Sequence, residues 1–151
     1  YDIDGEINGL EREPNNLIPI ILETIMGKRE EVVVFGSDYE TDDGSCIRDY
    51  IHVNDLAEAH LSALGYLVRK NQNLIVNLGT SKGLSVLEVL RIACEVSETN
   101  FKYKIGPRRA GDPAVVLAKA SLAKKLLHWT PKNSDAYTLL ETTLRAYRKN
   151  F

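Results

Sequence analysis

The segment Val32-Val33-Val34-Phe35-Gly36 decides the fold class of this chain. Four consecutive apolar residues, three of them β-branched, predict a short buried strand, and the glycine after them ends it. A second run, Leu74-Ile75-Val76-Asn77-Leu78-Gly79, repeats the pattern and predicts a second strand. A third, shorter strand is predicted over residues 102–105, where Tyr103 and Ile105 alternate with lysines.

Helical patterns separate and follow these strands, because apolar residues recur there at every third or fourth position. The predicted helix beginnings are Asn16 as an N-cap, Asp55 and Ser85 as the first residues of two capping boxes, Ser121, and Ala136. Gly27, Lys70 and Lys149 are the predicted ends of the first, second and last helices. Strands that alternate with helices indicate an α/β fold, and no linker divides residues 1–151 into two domains.

Composition limits the classes of protein to which the chain can belong. Its 151 residues are 44% apolar and 26% charged, which is typical of a soluble globular chain. The net charge of −2 excludes a strongly basic nucleic-acid binder. No apolar run approaches the roughly 20 residues of a membrane-spanning helix, so no membrane partner is expected.

Cysteine and histidine usage argues against a disulfide framework and against a metal site. Cys46 and Cys94 are sparse and far apart in the sequence, which fits a reducing compartment and predicts a cytoplasmic protein. The three histidines form neither an HExxH motif nor a cluster with cysteine, so we expect no bound metal.

Known nucleotide cradles are missing from the sequence. Neither GxGxxG nor GxxxxGK[ST] occurs, so no dinucleotide or triphosphate loop is predicted. Tyr66 and Lys70 fit the Tyr-xxx-Lys spacing of a catalytic pair, but such pairs arise by chance and we expect a surface or packing role.

Several polar and aromatic residues are candidates for an anion site. Arg48 could bind a phosphate as a planar fork, or could form a surface pair with Asp49. The loop after the 102–105 strand carries Arg108 and Arg109, and loops at strand ends are where α/β folds place ligand contacts.

Three further residues leave alternatives open. Asn15 and Asn16 fit either capping of the first helix or hydrogen bonding to a ligand at the same helix start. Phe35 fits either the core or an aromatic wall for a base.

Six segments together resemble one known family, the UDP-glucose 4-epimerases, which are extended short-chain dehydrogenase/reductases. The matching segments are Pro14-Asn15-Asn16-Leu17, Phe35-Gly36-Ser37-Asp38-Tyr39, residues 43–57, Asn77-Leu78-Gly79-Thr80, Arg108-Arg109-Ala110-Gly111-Asp112 and Leu127-His128-Trp129. Their order and spacing are similar to the C-terminal half of that family over nearly the whole chain.

The resemblance implies a fold and a chemistry. The chain would be the C-terminal substrate-binding part of an extended short-chain dehydrogenase/reductase, without the N-terminal Rossmann core. That missing half would bind NAD and carry the catalytic Tyr and Lys, so no catalytic residue is expected here. A chain that begins at Tyr1 and has Met26 as its only methionine also predicts a segment of a longer protein. The parent is expected to interconvert UDP-glucose and UDP-galactose as a homodimer.

Site residues follow from the same resemblance, motif by motif. Asn16 and Leu17 would contact the nucleotide, Arg48 and Arg109 would bind phosphate oxygens, and Tyr50 and Asp112 would lie near the ribose. The residues that would line the uracil pocket are Val33, Val34 and Phe35. Val116 occupies the position at which a bulky side chain restricts sugar size in this family, which hints at tolerance of N-acetylated sugars.

Two other functions remain open at this point. One is a non-catalytic nucleotide-sugar-binding module, and the other is a sister enzyme such as a nucleotide-sugar dehydratase or a pentose 4-epimerase. In the resembling family, residues 75–79 and the helix from Asp55 pack against the Rossmann half. Their apolar faces would be exposed without that half, which predicts aggregation of the isolated chain.

Overall fold

The computed structural model describes residues 1–6, 9 and 13–150. Its helices are α1 (Leu17–Ile25), α2 (Val53–Lys70), α3 (Val86–Ser97), α4 (Ser121–Leu127) and α5 (Ala136–Asn150). Its strands are β1 (Val32–Phe35), β2 (Ile47–Arg48), β3 (Leu84–Ser85), β4 (Tyr103–Gly106) and β5 (Val115–Val116). The α/β class predicted from the sequence is confirmed.

Two small sheets organise the chain. β1 and β4 run parallel, with Phe35 opposite Gly106 at their carboxyl ends. β2 is the middle strand of the other sheet, antiparallel to β3 and parallel to β5. Parallel strands need a crossover connection, and α2 and α3 both lie on the chain between β1 and β4.

The main core lies between β1 and the helices α1, α3 and α5. Alternate residues of β1 face this core, so Val32 and Val34 are each only 1% exposed. Leu22 of α1, Leu90 of α3 and Tyr147 of α5 belong to the same cluster.

A smaller apolar cluster joins α2 to α4. Ala59, Ala123, Leu127 and Trp129 are its buried members. The indole nitrogen of Trp129 donates a hydrogen bond to the backbone carbonyl of Asp55 at 2.9 Å, so the single tryptophan satisfies its polar atom while it fills the cluster.

Most predicted elements are confirmed. Ser85 is the N-cap of α3 and its hydroxyl accepts a hydrogen bond from the backbone N–H of Glu88 at 3.0 Å, as the capping box requires. The first helix ends before Gly27, which has a φ of +73°. The last helix begins at Ala136 as predicted.

The strand predicted over residues 74–78 is wrong. The segment forms no strand, and the side chain of Ile75 is 92% exposed. A strand needs a hydrogen-bonding neighbour, and none of the described residues forms a ladder with this segment.

The capping box predicted at Asp55 is also wrong. α2 begins at Val53, and the N-cap is His52, whose Nδ1 accepts a hydrogen bond from the backbone N–H of Asn54 at 3.1 Å. Asp55 instead lies in the first turn of α2, where its carboxylate accepts hydrogen bonds from the backbone N–H groups of Lys132 and Asn133. The carboxylate therefore accepts hydrogen bonds from the loop before α5 and does not cap its own helix.

Among the described residues, no helix combines the length and the apolar character needed to cross a bilayer.

Candidate functional site

The carboxyl ends of β1 and β4 lie side by side because the two strands run parallel. The loops that follow them, residues 36–46 and 107–114, therefore start from the same edge of the sheet. A cavity of about 510 Å³, which is within the range of small-molecule sites, is lined by residues before and along β1 and by Arg109 and Asp112 of the second loop. The site residues predicted from the sequence that line it are Leu17, Val33, Phe35, Arg48, Tyr50, Arg109 and Asp112.

One wall of this cavity is an ion pair between Arg48 and Asp112. A guanidinium nitrogen of Arg48 lies 2.5 Å from Oδ1 of Asp112, and another donates to the carbonyl of Ile47 at 2.7 Å. Both side chains are half-buried, so the pair is less screened than a surface pair. Arginine has five N–H donors, so these contacts fix the guanidinium while leaving donors for a ligand.

The alternative pairing of Arg48 with Asp49 does not form. The Asp49 carboxylate instead accepts hydrogen bonds from the backbone N–H groups of Thr80 at 2.9 Å and Ser81 at 3.1 Å. It also accepts one from Ala118 at 3.2 Å, so it anchors two loops behind the cavity wall.

Arg109 stacks over the ring of Phe35. Its guanidinium carbon lies 3.9 Å from the ring centroid, which is a cation–π contact. No hydrogen bond or ion pair joins the Arg109 side chain to another described residue, so its N–H groups are available to an anion. Phe35 is half-buried and belongs to the cavity wall, in agreement with the reading of this residue as an aromatic surface.

Tyr50 supplies a hydroxyl that stays protonated. Burial raises the pKa of Tyr50 to about 12, and the nearby positive charge of Arg48 opposes that rise without overcoming it. At neutral pH the phenol is therefore a hydrogen-bond donor and not a phenolate.

The charge balance of the cavity favours an anion. Three arginines line it against two carboxylates, Glu31 and Asp112. Arg29 forms an ion pair with Glu23 at 3.0 Å. The other two arginines, Arg48 and Arg109, are the ones that were predicted to bind phosphate.

Three predicted site residues lie elsewhere. Val34 faces the main core, because neighbouring residues of a strand point to opposite sides. Asn16 is the exposed N-cap of α1 but its side chain makes no capping hydrogen bond, and the cavity is lined by Asn15 instead. Val116 lies on β5 beside Arg48 and lines a neighbouring cavity of about 340 Å³.

Sequence reasoning missed several lining residues. Ile20 follows Leu17 by one helical turn, so its place beside Leu17 could have been found from the helical period. Arg29 and Glu31 precede β1 without any motif, and Cys46 precedes β2, so only the tertiary structure brings them to the cavity.

A second cavity, of about 690 Å³, lies on the other side of Tyr50. It is lined by residues 79–84, 119–121, 129–132 and 134–136 and by Lys124, and none of its residues besides Tyr50 was a predicted site residue.

The remaining sequence candidates do not form a site. Tyr66 packs against the smaller apolar cluster, and Lys70 is exposed at the end of α2, which matches the expected packing and surface roles. Within the part of the chain that the structure describes, no group of His, Cys, Asp and Glu could hold a metal ion. Cys46 and Cys94 are free thiols.

Comparison with known proteins shows what the chain is similar to. The model of the NAD dependent epimerase/dehydratase family matches residues 5–79. A UDP-glucose 4-epimerase from Halalkalibacterium halodurans is 44% identical over 140 residues, which is 93% of this chain and 42% of that protein.

Solved structures give the same result. A UDP-glucose 4-epimerase from Stenotrophomonas maltophila, with bound NAD and formylated UDP-arabinopyranose, has a TM-score of 0.93 at 39% identity and covers 98% of this chain and 44% of its own. The enzyme from Bifidobacterium longum, in complex with NAD+ and UDP, has a TM-score of 0.82 at 36% identity and covers 95% of this chain and 41% of its own. This chain therefore spans less than half of the length of these relatives.

Proposed function

We propose that this chain, whose residues 5–79 match the model of the NAD dependent epimerase/dehydratase family, is the UDP-sugar-binding portion of an NAD-dependent UDP-glucose 4-epimerase. The complete protein would interconvert UDP-glucose and UDP-galactose through a 4-keto intermediate. The observation that carries the proposal is that Arg48, Arg109, Phe35 and Tyr50 all line one cavity beside β1.

Each of these groups fits one part of a UDP-sugar. The guanidinium groups of Arg48 and Arg109 match the charge and the planar geometry of diphosphate oxygens. The aliphatic side chains of Leu17 and Val33 and the Phe35 ring offer the apolar surface that a uracil ring needs. The Asp112 carboxylate and the protonated Tyr50 hydroxyl can hydrogen-bond ribose hydroxyls.

A fixed diphosphate is what this chemistry requires of the binding part. The 4-keto sugar must turn to present its other face before hydride returns, so the sugar must be released while the UDP stays bound. Two arginines and an aromatic wall would hold the nucleotide end of the UDP-sugar and leave its sugar end free to turn. This is the role that we propose for the chain.

NAD would be held outside this chain. A dinucleotide cradle requires a glycine-rich turn from a strand directly into a helix. In the described residues, β1 and β4 both lead into loops, and residues 36 and 106 are followed by no helix within ten positions. The catalytic Tyr and Lys would likewise come from the rest of the complete protein, for which we propose a Rossmann domain, a homodimeric state and a cytoplasmic location.

The site is tested by Arg109→Ala in the complete protein. Loss of a charged hydrogen bond to phosphate should weaken UDP binding by about 2 kcal/mol or more, measured by titration calorimetry. Arg145→Ala, which removes an exposed arginine of α5, is the matched control and should leave the affinity unchanged. An Arg109→Ala protein with the affinity of the unsubstituted protein would contradict the assignment.

The activity is tested by an epimerisation assay on the complete protein with UDP-glucose and with UDP-N-acetylglucosamine. Turnover of UDP-glucose supports the proposal, and turnover of both substrates supports the role that we propose for Val116 in sugar size. UDP binding without turnover of either sugar would favour the non-catalytic module, and turnover of a pentose derivative alone would favour a sister enzyme.

A further inference from the structure

Arg108, the neighbour of Arg109, holds together the two loops that frame the site. Its Nε donates to Oδ1 of Asp38 at 2.6 Å, and a second guanidinium nitrogen donates to the Asp38 backbone carbonyl. The same guanidinium lies over the ring of Tyr39, with its carbon 4.2 Å from the centroid. One side chain from the 107–114 loop thus contacts two consecutive residues of the loop after β1.

The loop after β1 is a firm anchor for these contacts. Tyr39 is only 5% exposed, and its backbone N–H donates to the carbonyl of Gly44 at 2.9 Å. The N–H of Gly44 in turn donates to Thr41 at 3.2 Å, so the loop closes on itself.

Gly36 leaves the space in which Arg108 meets Tyr39. Its φ is +88°, a conformation that favours glycine, and a Cβ added to it would lie 2.7 Å from Cγ of Arg108 and 2.7 Å from Cε2 of Tyr39. The glycine at the end of β1 therefore serves the contact between the loops as well as the termination of the strand.

Two consecutive arginines consequently make two different stacks. Arg108 covers Tyr39 outside the cavity, and Arg109 covers Phe35 at its wall. The ion pair of Arg108 with Asp38 is exposed on both sides and would be weak alone. The ring contact and the hydrogen bond to a backbone carbonyl add to it and fix the backbone from which Arg109 extends.

We propose that Arg108 is a positioning residue. Its contacts with Asp38 and Tyr39 hold the 107–114 loop so that the Arg109 guanidinium lies over the Phe35 ring, where it can bind the diphosphate. This inference rests on the proposed function of the site. It assigns no contact between Arg108 and the ligand, and it states that Arg108 acts on binding by placing Arg109.

A double-mutant cycle for UDP binding to the complete protein tests this dependence. Arg108→Ala should weaken UDP binding about tenfold, which corresponds to about 1.4 kcal/mol, by titration calorimetry. In an Arg109→Ala background the same substitution should cause no further loss, because the group that it positions is gone. Asp38→Asn should cause a smaller loss with the same dependence on Arg109, and it removes no buried group. Arg91→Ala, an exposed ion-paired arginine on α3, is the matched control.

Each outcome decides the matter. A tenfold loss that persists in the Arg109→Ala background, or an unchanged affinity for Arg108→Ala, overturns the positioning role. A lowered melting temperature for Arg108→Ala together with losses in both backgrounds also overturns it, since a general loss of structure would not depend on Arg109. If the unsubstituted complete protein does not bind UDP, the proposed function itself fails and this inference fails with it, which the parallel titration of that protein reveals directly.

Discussion

Tyr50 contributes to the walls of two cavities, of about 690 Å³ and about 510 Å³. Its burial, which raises the pKa to about 12, keeps the phenol neutral over the whole physiological range. A neutral donor beside Arg48 adds no negative charge to a site that we propose for an anion.

The raised pKa of Tyr50 also predicts a pH dependence of stability. Below pH 10 the phenol keeps its proton in both the folded and the unfolded state, so it contributes fully. Between pH 10 and about 12 the unfolded state loses the proton first, so the free energy of unfolding should fall as pH rises. Tyr50→Phe should reduce that fall, as measured from urea denaturation at pH 9 and pH 11.

Tyr103→Phe, at an exposed position on β4, is the matched control for this measurement. It should keep the pH dependence of the unsubstituted protein. An identical loss of stability in the Tyr50→Phe and unsubstituted proteins would contradict the prediction.

The pairing of Arg48 with Asp112 shows what residue-level sequence reasoning can and cannot reach. Both residues were identified as candidates from their motifs, but the neighbour Asp49 was the only ionic partner considered. The actual partner is 64 positions away in the sequence. Only the folding of β2 beside β5, which places the 107–114 loop next to Arg48, brings them together.

Asp55 connects two elements, because its carboxylate on α2 accepts hydrogen bonds from the loop before α5. Burial pushes its pKa up, but hydrogen bonds from Ser134, Lys132 and Asn133 outweigh burial, so the pKa is lowered overall. A lowered pKa means that this stabilisation is present above the pKa of the unfolded carboxyl group and is lost as pH falls through the folded one.

Asp55→Asn should therefore destabilise the protein by about 2 kcal/mol, because an amide group replaces one acceptor oxygen and faces N–H donors of the loop. The melting temperature at pH 7 should fall by several degrees. Glu58→Gln, on the same helix and paired with Lys132 at the surface, is the control and should change the melting temperature little. Equal melting temperatures for the two variants would speak against the role of Asp55.

At the same scale, the failed strand at residues 74–78 shows the limit of a local pattern. The apolar, β-branched run at these residues predicts a strand. Whether such a segment is a strand depends on a neighbour that supplies hydrogen bonds, and no described residue does so. The helices were easier to predict, since their hydrogen bonds are formed within the segment itself.

At the scale of the whole molecule, α2 and the segment after it carry exposed apolar side chains. Leu61 is 70% exposed, Val68 is 77% exposed and Ile75 is 92% exposed. Neighbouring exposed apolar side chains of this kind mark interaction surfaces or sites of aggregation. Their position agrees with our proposal that the Rossmann half of the complete protein packs against these elements.

We expect the isolated 151-residue chain to self-associate through this surface. Light scattering after gel filtration should show species larger than a monomer, and the double substitution Val68→Lys and Ile75→Lys should shift the chain toward the monomer because it places charges on the surface. Lys substitutions at Tyr103 and Tyr137, which are exposed on other elements, β4 and α5, provide the control. A monomeric, cooperatively melting unsubstituted chain would contradict this expectation.

The sequence by itself determined the α/β class and the helix boundaries at Ser85 and Ala136, because these follow from periodicity and capping chemistry. Together with the resemblance to a known family, it also pointed to seven of the residues that line the candidate site. The tertiary structure alone decided that Arg48 pairs with Asp112, that Arg109 stacks on Phe35, that Val34 faces the core, and that Arg108 joins the two loops. These contacts connect residues separated by dozens of positions, and they arise from the parallel pairing of β1 with β4 and of β2 with β5. A local sequence pattern does not predict that pairing. The residues of a strand specify which side chains alternate between its two faces, but not which strand lies beside it.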